Sequence, residues 1–389
     1  MTQITTKFLP FHRASIEEEE IQAVVDVLRS GWLTTGPKVQ EFEAAFAAYI
    51  GASHAVAANS CTAALHLGLA AIGVAEGDEV ILPAMTFAAS GEVVLYFKGR
   101  PVLVDCSEGT GQLNPHEVER AITSRTKAIM PVHYAGYPCD MDRILDIARR
   151  HQLRVLEDAA HALPTRYNGK LVGSFGDITC FSFYATKTMT TGEGGLAATQ
   201  NEEFADRMRL LSLHGISRDA WKRYTVGGSW RYDILEAGYK YNFTDIQAAL
   251  GLAQLAKCDA MCARRSELAA RYSAAISFFD AFEVPPVPPN GQHSWHLYAL
   301  QFNPSVLRIN RDQVIEELKQ RGIGTSVHFI PLHFHTLYQK QLGYRCGQFP
   351  IAEKYFEREI SLPIYPSMTD EDCDDVIEAL HDITRQFRR

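Results

Sequence analysis

The chain has 389 residues, 46% of them hydrophobic and 22% charged. That is a soluble globular composition and too long for one ordinary core, so one large domain plus a smaller one is expected. The net charge of −8 is spread along the sequence, which excludes the basic stripe of a nucleic-acid-binding surface. No run approaches the length of a membrane span, and the opening MTQITTKFLPFHRAS has no apolar core of a secretory signal. The eight cysteines are scattered without CxxC pairs, which fits reduced thiols in the cytoplasm rather than a disulfide framework or a zinc site.

Residues 15–50 read as helical with a pause at SGWLTTG, and Ser15 opens a capping-box-like SIEE. Strands and helices then alternate. HAVAANS leads into the helix CTAALHLGLAAIG, and GDEVILPAMTF is a short apolar strand with a loop. RPVLVDC, KAIMPVHYAG and LRVLEDAAH are further apolar strands of the length found inside a parallel sheet. NPHEVERAI and DMDRILDIARRH are their amphipathic helical partners. From Asp245 a long helical stretch runs through DIQAALGLAQLAKCDAMCARRSELAARYSAAI and is a candidate hinge. The Pro-rich EVPPVPPNGQ follows, then the strand HLYALQF, the helix RDQVIEELKQRG, the strand TSVHFI and a terminal helix from Asp370. The pattern predicts an α/β fold with a doubly wound, mostly parallel sheet. Residues 1–258 would form the large domain and 259–389 a smaller C-terminal α+β domain.

In such sheets ligands sit beyond the carboxyl ends of the strands, and four strand ends converge on one chemistry. Asn59-Ser60-Cys61-Thr62 opens a helix and would leave backbone N–H groups free for a phosphate, although an ordinary N-cap reads the same way. Asp158 ends an apolar strand, where a buried carboxylate needs a partner such as a protonated pyridine nitrogen; His161 follows three residues later. Lys187 sits in FSFYATKTMTTGEGG with no other charge between Asp177 and Glu193. A desolvated lysine there is a nucleophile able to form a Schiff base, with Ser182 as a further phosphate contact and the glycines after Thr191 allowing a tight return. Phe87 lies after the strand EVIL, placed to stack on a flat ring or to fill the core. Together these features describe a pyridoxal phosphate site.

The motifs SGWLTTGP, NSCTAALH, GDEVILP, PVHYAGYPCDMD, LEDAAHA, FSFYATK, TTGEGG, GYKYNFTDIQAALGLAQL, GIGTSVHF and LPIYPSMT span almost the whole chain. They resemble the DegT/StrS-type sugar aminotransferases, a branch of the fold-type-I pyridoxal phosphate enzymes. GYKYN with KAIMPVHYAG is most similar to enzymes making UDP-4-amino-4-deoxy-L-arabinose and related 4-amino sugars. The resemblance implies that Lys187 carries the cofactor as a Schiff base, that Asp158 pairs with its ring nitrogen, and that His161 lies near its hydroxyl. It implies that Phe87 stacks on the ring, that Ser60, Cys61 and Ser182 hold the phosphate, and that Asn242 reaches the phosphate from the partner of a homodimer with shared sites. Thr188, Met189, Pro164 and Thr165 depart from the family pattern at the site's edge and behind it, which bears on substrate identity more than on reaction type.

The expected reaction moves the amino group of L-glutamate to the keto carbon, C4, of a UDP- or dTDP-linked sugar in amino-sugar or surface-polysaccharide synthesis. Trp32, Lys222, Arg231 and His328 are the candidate substrate contacts, because cations beside aromatic faces suit a diphosphate and a base. Lys222 and Arg231 belong to WKRY and WRY segments of a long loop that reads equally as incidental surface charge. His328, His333 and His335 in HFIPLHFH fit no familiar metal spacing, with Pro331 between them; sugar-facing or buried histidines are the reading kept. Alternatives are a C3-keto sugar or keto-cyclitol acceptor, and a non-catalytic sensor on the same fold. A lysine-free dehydratase of this family is opposed by Lys187.

Overall fold

The structure is a computed structural model that describes residues 8–217 and 231–389. Seven strands form its central sheet: β1 (His54–Ala58), β2 (Glu79–Pro83), β3 (Arg100–Val104), β4 (Thr126–Ile129), β5 (Arg154–Asp158), β8 (Ile178–Ser182) and β9 (Gly195–Thr199), in the order β1-β9-β8-β5-β4-β2-β3. Only β9 runs against its neighbours. The strands are short runs of buried side chains, as a sheet covered on both faces requires. With six strands pointing one way, their carboxyl ends lie along one edge of the sheet.

The remaining strands form two small sheets. β6 (Arg166–Tyr167), β7 (Lys170–Leu171) and β11 (Gly291–Gln292) make one, and β10 (Phe282–Glu283), β12 (Tyr298–Phe302) and β13 (Glu359–Leu362) the other. A separate hydrophobic core gathers around β12, β13 and the terminal helix Asp370–Phe387. Leu9 joins that core and pairs with Ile323, so the N-terminal segment crosses to the C-terminal part of the molecule and carries Phe11 to the cleft between the two. Among the described residues no helix is long and apolar enough to cross a membrane.

Three local expectations are corrected. Ser15 does not cap the first helix, α1 (Glu18–Ser30): Glu17 and Glu20 form the capping box, while the Ser15 carbonyl accepts a hydrogen bond from Gln254. The stretch from Asp245 is two helices, Asp245–Ala256 and Cys258–Ile276, broken at Lys257. The first packs against α1 and the helix Pro37–Ile50, the second against the terminal helix, and one straight rod could not follow both cores. Cys258 and Met261 pack with the large sheet while Leu268 onward joins the second core. TSVHFI is not a strand; only Ser326 bridges, to Ser361 of β13, before the chain bends into the cleft.

Candidate active site

Side chains from the carboxyl ends of β1, β2, β5 and β8 meet those of His296, His328 and Phe329 around a cleft of about 360 Å³. Ser60, Cys61, Phe87, Asp158, His161, Ser182 and Lys187, all expected from the sequence, line it. Ser60 is the N-cap of the helix Cys61–Ala71, its hydroxyl accepting from the Ala63 N–H at 3.1 Å. That capping leaves the first-turn N–H groups of Cys61 and Thr62 without helical acceptors at the cleft wall. The N-cap reading holds, and the N–H groups left at the cleft wall are what the phosphate reading requires. Burial pushes the Cys61 thiol well above its ordinary range, so it is not a nucleophile.

Gly195, at the start of β9, is what lets that strand lie against this turn. A Cβ there would stand 2.4 Å from the Ser60 carbonyl and the Cys61 nitrogen. Gly195→Ala is expected to lower stability by about 1–3 kcal/mol through backbone displacement, and to weaken phosphate retention. Thermal unfolding and cofactor titration read the two effects separately.

Lys187 is presented by a closed loop between β8 and β9. Phe183 N–H donates to Gly194, Thr191 N–H to Phe183 and Lys187 N–H to Tyr184, at 2.9–3.0 Å. Its amine lies 3.4 Å from His296 Nε2. Burial draws the Lys187 amine down to about 8, although Cys61 and Asp158 act to raise it. The uncharged neighbours seen in the sequence are thus the desolvating wall of a cleft.

Asp158 is buried at the end of β5. Ser90 Oγ donates to Oδ2 at 2.7 Å and the Ala160 N–H to Oδ1 at 3.1 Å. Thr86 Oγ1 stands 2.7 Å from Ser90 Oγ, extending the support. Burial still raises the carboxyl above its ordinary value, and no lysine or arginine among the described residues pairs with it directly. A buried carboxylate facing a cleft without a bonded cation is a place for a cationic ring nitrogen.

His161 Nδ1 accepts the Ala135 N–H at 3.2 Å, and its ring lies 4.3 Å from that of His296 and 5.6 Å from that of Phe329. That bond leaves Nε2 to carry the proton, since burial holds the ring neutral, well below its usual range. Phe87 is not core: it is 58% exposed and tilted against Phe329 at 5.6 Å. An open aromatic face, free helix N–H groups, an unpaired buried acid and a desolvated lysine in one cleft fit pyridoxal phosphate.

Other expected residues fall elsewhere. Trp32 and Asn242 do not line this cleft: the indole N–H donates to the Thr35 carbonyl at 3.1 Å, and Asn242 Nδ2 to Thr35 Oγ1 at 2.9 Å. Arg231 is exposed, and Lys222 lies outside the described residues. His333 does not face the sugar position; it is buried, with Nε2 2.9 Å from Glu353. Among the described residues no cluster of His, Cys, Asp or Glu is arranged to hold a metal. His296, Ser90, Phe11 and Phe329 were not singled out from sequence. For His296 the signal available was its place just before an apolar strand, in HSWHLY.

The family model for the DegT/DnrJ/EryC1/StrS aminotransferases matches residues 14–381. The chain is 54% identical to the uncharacterized protein MJ1066 of Methanocaldococcus jannaschii over 385 residues, 99% of this chain and 100% of the other. It is 51% identical to the spore coat polysaccharide biosynthesis protein SpsC of Bacillus subtilis, covering 99% of each. Among solved structures it resembles Spr1654 of Streptococcus pneumoniae, named as a sugar aminotransferase, in its PLP form: 37% identity, TM-score 0.91, covering 97% of this chain and 99% of that one.

Proposed function

Since the chain belongs to the DegT/DnrJ/EryC1/StrS aminotransferase family and is an enzyme with pyridoxal phosphate as its cofactor, we propose that it transfers the amino group of L-glutamate to C4 of a UDP- or dTDP-linked keto sugar. SpsC, whose name places that protein in polysaccharide biosynthesis, supports a surface-polysaccharide role, and the eight free cysteines support a cytoplasmic one. The observation that carries the reading is the pairing in one cleft of the desolvated Lys187 amine with the cation-free carboxylate of Asp158.

When bound, the cofactor supplies an electron sink and a carrier for the amino group. The chain's own residues supply the rest. The Cys61 and Thr62 N–H groups with the Ser60 and Ser182 hydroxyls bind the phosphate, and Phe87 covers one face of the ring. Asp158 holds a proton on the ring nitrogen, with Ser90 and Ala160 keeping the carboxylate in place. Lys187 is the attachment point. Released from it, Nζ takes a proton from one carbon of the reacting system and returns it to another. His296 Nε2, at 3.4 Å, fixes the direction of that amine, and Phe329 helps keep water from it. His328 offers a polar contact to the sugar. Trp32 and Asn242, outside their own chain's cleft, serve the neighbouring site of a homodimer, with the exposed Arg231 contributing to diphosphate binding.

The test is visible absorption of the cofactor-loaded enzyme. L-glutamate is expected to bleach the band, and a UDP- or dTDP-4-keto sugar to restore it. Recovery only with a 3-keto sugar or a free keto-cyclitol would replace the acceptor assigned here. A band unmoved by any amino donor would indicate a binding protein without turnover.

A further inference from the structure

We propose that Glu359 is a positioning residue: through the Ser361 hydroxyl it fixes which ring nitrogen of His328 carries the proton, and hence whether the cleft meets a lone pair or an N–H at Nε2. Its consequence for the substrate rests on the aminotransferase reading above; the relay itself does not.

Glu359 and Ser361 are two residues apart on β13, so their side chains share a face of the strand. The Ser326–Ser361 bridge, with N–H···O distances of 2.9 and 3.2 Å, lays the His328 segment beside them. His328 N–H donates to Glu359 Oε2 at 2.8 Å, Ser361 Oγ contacts Glu359 Oε1, and His328 Nδ1 stands 2.8 Å from Ser361 Oγ. Tyr134 O–H donates to the His328 carbonyl at 2.5 Å, fixing the backbone. Glu359 and Ser361 are fully buried while His328 lines the cleft with Lys187.

A hydroxyl carries one proton, so the chain has two orientations. With Glu359 ionised, Ser361 donates to it; Nδ1 must then donate to Ser361, and Nε2 is left with its lone pair. With Glu359 protonated and donating to Ser361, that hydroxyl donates to Nδ1, and the imidazole proton sits on Nε2. The two states differ by one proton, held on Glu359. A group that accepts only, such as a ketone oxygen, is matched by the second state, and a hydroxyl donor by the first.

The surroundings allow the change within a working range. Burial pushes the Glu359 carboxyl up to about 8, with Arg311 opposing. Tyr134 and Tyr355, which face Glu359, are pushed upward and stay neutral. Burial draws His328 down to about 4, with Lys187 adding to the effect, and holds His161 and His296 well below the usual range. All three rings are neutral where Glu359 titrates. Lys187, at about 8 when free, is the other group that changes in this window, and Ser361→Ala separates it from the relay because that variant retains Lys187.

The experiment is NMR of ring nitrogens in cofactor-loaded, full-length enzyme carrying 15N-histidine, with the His328 signal assigned by its loss in His328→Asn. Over about one to two pH units either side of the Glu359 midpoint, wild-type His328 is expected to pass from the Nε2–H to the Nδ1–H tautomer as pH rises. Glu359→Gln and Ser361→Ala are expected to abolish that passage. The KM for a UDP-4-keto sugar in Glu359→Gln, relative to wild type, should shift about tenfold across the same range, while the rates of the L-glutamate half-reaction differ by less than about threefold. One His328 tautomer throughout in wild type, or an unchanged passage in Ser361→Ala, would overturn the proposal, and so would equal loss in both half-reactions. If no keto sugar is turned over, the functional reading falls while the NMR result still decides the relay.

Discussion

Lys187→Ala is expected to lower transamination by about four orders of magnitude, the upper range for loss of a general acid–base that is also the covalent anchor. No other lysine lines the cleft among the described residues, so nothing nearby can substitute. The amine's value of about 8 has a cause, desolvation by the surrounding wall, and the sign follows. A cation penalised by burial releases its proton earlier, so the nucleophilic amine predominates above about 8. Capture of added cofactor by the unloaded wild type should accelerate as pH rises through that value. The variant should show no visible band that survives gel filtration, yet melt at a temperature close to that of the unloaded wild type, because a buried cation without a salt bridge has been removed. Retention of glutamate-dependent bleaching by the variant would remove Lys187 from its role.

Asp158→Asn should cost on the order of 10²- to 10³-fold in the rate of amino transfer, the range for losing one preorganised electrostatic partner. Asparagine matches the carboxyl in shape: its oxygen keeps the Ala160 N–H, and its amide N–H donates to the Ser90 hydroxyl where the carboxylate accepted from it. What disappears is the negative charge that holds a proton on the ring nitrogen. Stability should move the other way. Burial raises the Asp158 carboxyl in the folded state; its favourable contribution is complete below the unfolded-state value and is lost as pH rises through the folded one. Above that folded-state value the unloaded wild type therefore carries a carboxylate that folding disfavours. The asparagine variant, free of that penalty, is expected to melt at the same temperature or higher while its activity collapses. A variant that loses both together would make Asp158 a structural residue.

Much of the cleft's lining was legible in the chain because residues such as Ser60, Asp158 and Lys187 are announced locally. A short apolar run predicts a buried parallel strand, its last residue is delivered to the ligand edge of the sheet, and residue type then states the chemistry. Asp158 after LRVLE, Ser60 after HAVAAN and Lys187 after a charge-free stretch beyond ITCFS all follow that rule, and six co-directed strands bring them together. The DegT/StrS resemblance carried the aminotransferase assignment across the rest of the chain, and the matched family confirms it.

What tertiary structure alone decided is which distant side chains share that edge. Ser90 and Asp158 are 68 positions apart and Lys187 and His296 are 109 apart, and no periodicity links such pairs. Among the histidines of HFIPLHFH, His328 was the expected substrate contact, but no local pattern says why it rather than His333 reaches the cleft. The fold turns one toward the cleft, and buries the other against Glu353. The physical reason is that strand propensity and burial pattern are properties of a few neighbouring residues, whereas a histidine's tautomer or a lysine's proton affinity is set by whatever the completed fold packs against it. Glu359 shows the limit: within EISLP it is one more charge at the edge of a strand, and only closure of β13 against the Ser326 segment makes it a buried acid behind a cleft histidine.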